Sequence, residues 1–235
     1  SNVFGFILRV YGIAELCREQ GVPFVLDASQ SAGALEVDAK KLGAAFIAMP
    51  GHKGLLGPQG TGVLLVNATA MPIMAGGTGS DSRSQTMPFF LPDRLEAGTH
   101  NIPGIAGLLE GVRYVRRRGT GAIERHESGL IRAMAQKLRS VPGLEVFLAD
   151  DANAQAGVLS VRHDSVGSEE LGAALGAMGV CVRAGMHCAP YAHESAGTLD
   201  TGTVRLRVSP FNTIQEVRRV PALVQRAVEA AQAQV

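Results

Sequence analysis

Cysteine is scarce in these 235 residues, which hold only Cys17, Cys181 and Cys188. An odd count without close pairs argues against a disulfide framework and fits a reducing compartment. There is no CxxC and no His/Cys cluster with metal-ligand spacing, so a zinc site is not expected. An excess of charge is also lacking. The formal net charge is +1 at pH 7, so nothing points to nucleic acid or another polyanion. No apolar run is long enough to span a bilayer, and no membrane partner is expected. The N-terminus lacks a basic segment followed by an apolar one, so no signal peptide is read and the expected location is the cytoplasm. Repeats and low-complexity tracts are missing too. What is present is apolar material: 46% hydrophobic against 18% charged residues. That supports a sizeable core and argues against disorder. The length suits one large α/β domain or two smaller ones.

One stretch organises the rest, Ala48-Met-Pro-Gly-His-Lys-Gly-Leu-Leu-Gly-Pro-Gln-Gly-Thr-Gly62. The apolar runs Ala44–Met49 and Val63–Val66 flank it and read as short buried strands. Lys53, in a glycine-rich turn between them, is badly placed for a solvated charge. It is well placed to form an imine with a carbonyl cofactor or substrate, although a plain loop lysine fits the same stretch. Upstream, Tyr11 to Gln20 carries Ile13, Leu16 and Cys17 at helical spacing and ends at Gly21. Val22 to Asp27 reads as a buried strand ending in an acid. Asp27-Ala-Ser-Gln30 then lies at its carboxyl end, the edge where ligands bind in open α/β sheets. Asp27 could equally serve as a cap or a salt-bridge partner. Val37 to Leu42 reads as a short helix.

Asn67 to His100, rich in Gly, Pro, Ser and Met, is a long loop of the kind that is usually functional or mobile. A helix follows to about Arg118, its Arg116-Arg-Arg118 end solvated and favoured by the helix dipole. A second helix spans about Ala122 to Arg139, with Ile123, Leu130, Ile131, Met134 and Leu138 on its apolar face. From Leu144 the pattern becomes α+β. Leu144–Leu148, Val158–Val161, Val180–Ala184 and Val204–Ser209 read as strands. Ser168 is the expected N-cap of a helix ending near Gly179. Thr213 and Glu216 are spaced as a capping box on the last helix. The expected boundary lies near Gly119, with residues 1–118 forming a partial, mainly parallel-sheet domain and 119–235 a smaller α+β domain. Cys181 reads as core and Cys17 as one face of a helix. His126, His163 and His193 read as surface or cap residues. Arg205 sits in an apolar strand and needs an anion, either a ligand or a structural Glu.

Six segments, in this order along the whole chain, carry a resemblance: Ser1-Asn-Val, Asp27-Ala-Ser-Gln, Gly51-His-Lys-Gly-Leu-Leu-Gly-Pro-Gln-Gly-Thr-Gly, Glu96-Ala-Gly-Thr, Arg183-Ala-Gly-Met-His-Cys-Ala-Pro and Gly202-Thr-Val-Arg-Leu-Arg-Val-Ser-Pro-Phe-Asn-Thr. The chain resembles the class V branch of fold-type I pyridoxal-phosphate (PLP) enzymes. Within that branch it is most similar to the cysteine desulfurase and selenocysteine lyase group. The resemblance implies an α/β large domain of fold-type I with a smaller α+β domain. It implies that Lys53 links covalently to PLP and moves the substrate Cα proton. Asp27 would pair with the pyridine nitrogen, Gln30 with the ring hydroxyl and His52 with the phosphate, and Asn2 would lie near ring and substrate. Thr99 would reach the phosphate of a neighbouring subunit, which implies a homodimer. Arg205 and Arg183 would hold the substrate carboxylate. Cys188 would take sulfur from cysteine, or selenium from selenocysteine, as a persulfide or its analogue and release alanine. A sulfur-acceptor protein and iron–sulfur cluster assembly would lie downstream. A class V aminotransferase or lyase that does not use Cys188, or a truncated inactive fragment, are the alternatives.

The chain departs from the resemblance in places. Pro50 stands where these enzymes carry a phosphate-binding Ser or Thr, and proline has neither hydroxyl nor N–H. Phe4 and Phe6 replace smaller or polar residues. The opening, without an initiator methionine, reads as the end of a strand in a protein expected to begin earlier.

Overall fold

The structure is a computed structural model that describes residues 1–233. It divides into two compact units, Arg9–Arg118 and Ser1–Leu8 together with the chain from Gly119 onward.

The first unit runs α1 (Val10–Glu19), β1 (Val25–Asp27), α2 (Ala39–Leu42), β2 (Phe46–Pro50), β3 (Gly62–Val66) and α3 (Ile102–Arg118). The three strands form one sheet in the order β1-β2-β3. β1 and β2 are parallel, with Asp27 opposite Ala48, whereas β2 and β3 form an antiparallel hairpin with Pro50 opposite Gly62. The sheet is therefore mixed. Asp38 starts α2 by accepting the N–H groups of Lys40 and Lys41, and left-handed Gly43 ends it. Ala14, Leu26, Ala28, Leu42, Ala44 and Ile47 make the core. That core covers β1 and β2 but does not reach β3, so the expectation of a buried Val63–Val66 strand is corrected. Leu64 and Leu65 are 48% and 44% exposed. The long loop contains only one 3-10 turn, Asp93–Leu95. α3 begins where the Asn101 side chain accepts the Gly104 N–H at 3.0 Å and buries Gly104, Leu108, Gly111 and Val115 at helical spacing.

The second unit runs α4 (Thr120–Leu138), β4 (Leu144–Phe147), β5 (Val158–His163), α5 (Ser168–Ala177), β6 (Arg183–Gly185), α6 (Pro190–Ser195), β7 (Thr203–Arg207) and α7 (Ile214–Gln232). Its sheet has the order β4-β5-β7-β6, with every pairing antiparallel. One face packs on α4, α5 and α7 through Leu159, Val161, Val204 and Leu206. The apolar residues named on α4 all lie in this unit's interior, and the Thr213–Glu216 capping box is present on α7.

Several local expectations are corrected. Ser1–Leu8 was grouped with the first unit, but its hydrogen bonds go to the second. Ser160 Oγ donates to the Val3 carbonyl at 2.7 Å, the Gln155 amide donates to the Phe4 carbonyl at 2.9 Å, and Phe6 bridges to Gln155. The opening is thus a turn followed by a bridge rather than a strand end. Gly167, not Ser168, caps α5, because the Ser168 hydroxyl donates to the Thr201 carbonyl. Cys181 is exposed. Val180 and Val182 pack against the core, and the alternation of an extended segment turns the residue between them outward. His163 and His193 are buried because each ring has an oxygen partner, the Pro142 carbonyl and Thr198 Oγ1. The short helix α6 was not anticipated.

Glu127 on α4 is only 6% exposed and sits against Gly157, where a Cβ would come within 2.4 Å of its Oε2. Burial pushes its carboxyl from 4.5 up to about 7, with the Arg207 charge opposing the rise. Between those values the folded state keeps a proton that the unfolded chain has released. The associated stability is complete below the unfolded pKa and is lost as pH rises through about 7. Glu127→Gln should therefore stabilise the second unit at pH 8, by on the order of 1–3 kcal/mol. It should change little at pH 4.5. Denaturant unfolding of both proteins at the two pH values checks this.

Candidate functional site

In the first unit the chemistry gathers at one sheet edge. β1 and β2 run parallel, so Asp27, the last residue of β1, and Lys53, three residues beyond β2, lie at the same carboxyl edge. Asp27 Oδ1 accepts the Ser29 N–H at 2.8 Å. Hydrogen bonds from the Ser29 side chain and backbone hold the Asp27 carboxyl below its usual range. Burial opposes them, and the Lys53 charge adds a smaller lowering. Asp27 is thus a carboxylate at neutral pH with an amine close enough to interact. Lys53 and Gln30 are half-buried, whereas His52 is exposed. Thr99 is exposed in the long loop, which the Gly98 N–H ties to the Gly77 carbonyl at 3.0 Å.

Glycine sets how tightly the Lys53 turn is held. A Cβ on Gly33 would meet the Gly54 carbonyl oxygen at 2.1 Å, and one on Gly54 would meet the Ala32 carbonyl oxygen at 2.3 Å. The segment after Asp27–Gln30 and the turn after Lys53 therefore touch main chain to main chain. On the other side, a Cβ on Gly111 would lie 2.2 Å from the Leu55 carbonyl oxygen, so α3 presses directly on the same turn. The sequence marks Gly54 as part of a glycine-rich turn, but only the structure shows this close approach.

In the second unit Asn2, Arg205 and the Cys188 loop are joined by hydrogen bonds. Arg183 on β6 and Arg205 on β7 are cross-strand neighbours. Arg205 Nη1 donates to the Asn2 carbonyl at 2.8 Å, and Asn2 Nδ2 donates to the His187 carbonyl at 2.8 Å. Among the described residues neither Arg183 nor Arg205 forms an ion pair with a carboxylate. The structural Glu considered for Arg205 is therefore not there, and two adjacent guanidinium groups are available to an external anion. Burial lowers the Arg205 pKa, as do the Arg207 and Arg183 charges, while Cys188 acts in the opposite sense. Cys188 itself is exposed.

His187, the residue before Cys188, is buried, and desolvation, helped by the Arg205 charge, pushes its pKa down to about 4. It is neutral at pH 7, which leaves the arginines as the positive groups near the cysteine. Its Nε2 lies 3.1 Å from the Thr203 carbonyl oxygen and 3.2 Å from Thr203 Oγ1. No local sequence signal marks this, because the partner is sixteen residues away on another strand.

Residues 1–220 match the sequence profile of the family described as Aminotransferase class-V. A probable cysteine desulfurase of Pyrococcus abyssi is 33% identical over 239 residues, covering 98% of this chain and 58% of that protein. One from Methanothermobacter thermautotrophicus is 35% identical, covering 93% of this chain and 56% of its own length. Among solved structures, the apo cysteine desulfurase of Thermococcus onnurineus NA1 matches with a TM-score of 0.88 at 35% identity, over 98% of this chain and 58% of that one. The chain therefore spans a little over half the length of the relatives it matches. The profile match covers nearly the whole chain: the chain belongs to the class-V aminotransferase family.

Proposed function

We propose that this chain is the part of a PLP-dependent cysteine desulfurase that carries the amine, the ring carboxylate and the sulfur-accepting thiol. The observation that carries the proposal is an exposed Cys188 beside two arginines that no carboxylate neutralises, in a chain similar to cysteine desulfurases. The residues fit the PLP ring. Asp27 is ionised, as pairing with a protonated pyridine nitrogen requires, and Lys53 is a half-buried amine at the same edge. Gln30 would bond the ring hydroxyl, and His52 and a neighbour's Thr99 the phosphate. PLP, when bound, draws electrons away from the substrate Cα.

The chain's own residues do the rest. Lys53 takes the proton from the substrate Cα. Arg205 and Arg183 orient the substrate carboxylate, with the Asn2 carbonyl fixing Arg205. The Cys188 thiolate attacks the sulfur of L-cysteine. A new S–S bond forms, the S–Cβ bond breaks with its electron pair left on carbon, and alanine is complete once Cβ gains a proton and Cα regains the one that Lys53 removed. Selenocysteine is the close alternative substrate. The persulfide would then pass to a sulfur-acceptor protein. The setting would be cytoplasmic; among the described residues no helix is long and apolar enough to cross a membrane. The Thr99 role requires a homodimer, which light scattering of the PLP-loaded protein tests; a loaded monomer would remove that role. The test of the function is incubation with PLP and L-cysteine. Alanine should appear, and the peptide containing Cys188 should gain one sulfur atom by mass. Alanine without that gain would overturn the proposal.

A further inference from the structure

His187 and Cys188 are consecutive non-glycine residues in left-handed backbone, with φ of 51° and 59°. L-residues adopt that region at a cost, and two in succession persist only where the surroundings hold them. The Ala189 N–H closes the turn around this pair by donating to the Met186 carbonyl at 3.0 Å, and two further contacts, both through His187, tie the turn to the rest of the unit. The His187 carbonyl accepts the Asn2 amide at 2.8 Å. Its ring Nε2 reaches the carbonyl oxygen of Thr203 on β7 at 3.1 Å. A carbonyl only accepts, so the partner assigns the ring proton to Nε2. Nδ1 is then a buried acceptor without a partner. The ring is packed against His193, with centroids 5.7 Å apart, and His193 packs against Phe4. Cys188, one residue on, has no such tether and is exposed.

We propose that His187 is the positioning residue for Cys188. Its ring, clamped to β7 through Nε2–H, holds the two-residue left-handed turn that presents the thiol to solvent within reach of the Arg205 charge. This rests on the reading of Cys188 as the sulfur acceptor, but its test needs neither cofactor nor substrate, so the two can fail separately.

The test reads the charge surroundings of Cys188 directly. In a Cys17→Ser, Cys181→Ser background only Cys188 can be alkylated. Its rate with anionic iodoacetate is divided by its rate with neutral iodoacetamide and compared with the same ratio for a small model thiol. A nearby guanidinium favours the anion, so the parent ratio should exceed the model ratio by about fivefold, as a near-surface charge interaction gives. His187→Ala should bring it to within about twofold of the model thiol. His187→Gln places an N–H near the position of Nε2 and should restore the ratio. His187→Asn tolerates left-handed backbone but cannot reach Thr203, and should not restore it. Asn2→Ala, which removes the second tether, should lower the ratio part of the way and carries the test if His187→Ala does not fold. A parent ratio equal to that of the model thiol overturns the proposal. So does a parent-like ratio in His187→Ala or Asn2→Ala. Restoration by Asn but not by Gln also overturns it, because backbone preference rather than the ring would then hold the turn.

Discussion

Lys53→Ala should leave no borohydride-fixed adduct when the variant is loaded with PLP and reduced, whereas the parent should carry the adduct on the Lys53 peptide. Release of alanine from cysteine should fall on the order of a thousandfold or more, because one amine serves as both covalent nucleophile and proton carrier. The expectation is specific to this lysine. Lys40 and Lys41 are exposed in α2 and Lys137 in the last turn of α4, whereas the amine that lowers the Asp27 carboxyl is Lys53, in a turn whose backbone is fixed on two sides by Gly54 and Gly111. A normal adduct and normal turnover in Lys53→Ala would remove the lysine from the chemistry and with it the reading of Asp27.

Cys188→Ser should behave in the opposite way. The variant should bind PLP and give the Lys53 adduct at the parent level, because Cys188 lies in the other compact unit and takes no part in the proposed link to the ring. Alanine and sulfide release from cysteine should nevertheless drop at least about a hundredfold, since a hydroxyl is a far weaker nucleophile toward sulfur than a thiolate. Turnover at the parent rate would end the desulfurase reading and leave a class V aminotransferase or lyase that uses Lys53 alone.

Much of the frame was legible in the sequence because it is local. The α4 face from Ile123 to Leu138 follows from 3.6-residue spacing, and the Thr213–Glu216 cap from a three-residue interval. The strand–turn–strand around Lys53 follows from two apolar runs separated by glycines. What was not legible is set by distant partners. The burial of His163, His187 and His193 depends on oxygens supplied by Pro142, Thr203 and Thr198, and no pattern along the chain marks those pairings. Exposure at Leu64 and Leu65 depends on which strands the α1–α2 core reaches, not on hydropathy. Arg205 was recognised as a charge in need of an anion, but cross-strand register was needed to place Arg183 beside it. The left-handed pair at His187 and Cys188 carried little signal, since histidine is enriched in that backbone only as an occasional single residue and cysteine does not favour it.

The contact between Gly33 and Gly54 also bears on how this protein can vary. Most neighbouring positions can change one at a time, with a loss at one site offset at another. Here each missing side chain faces a carbonyl of the opposite segment, at 2.1 Å and 2.3 Å for an added Cβ, and a carbonyl cannot be trimmed by substitution. No second change relieves the first. Positions 33 and 54 are therefore closed to both drift and libraries. A search for altered substrate preference should leave the closed pair fixed, because any variant there would part the acid from the amine before it reached a new ligand.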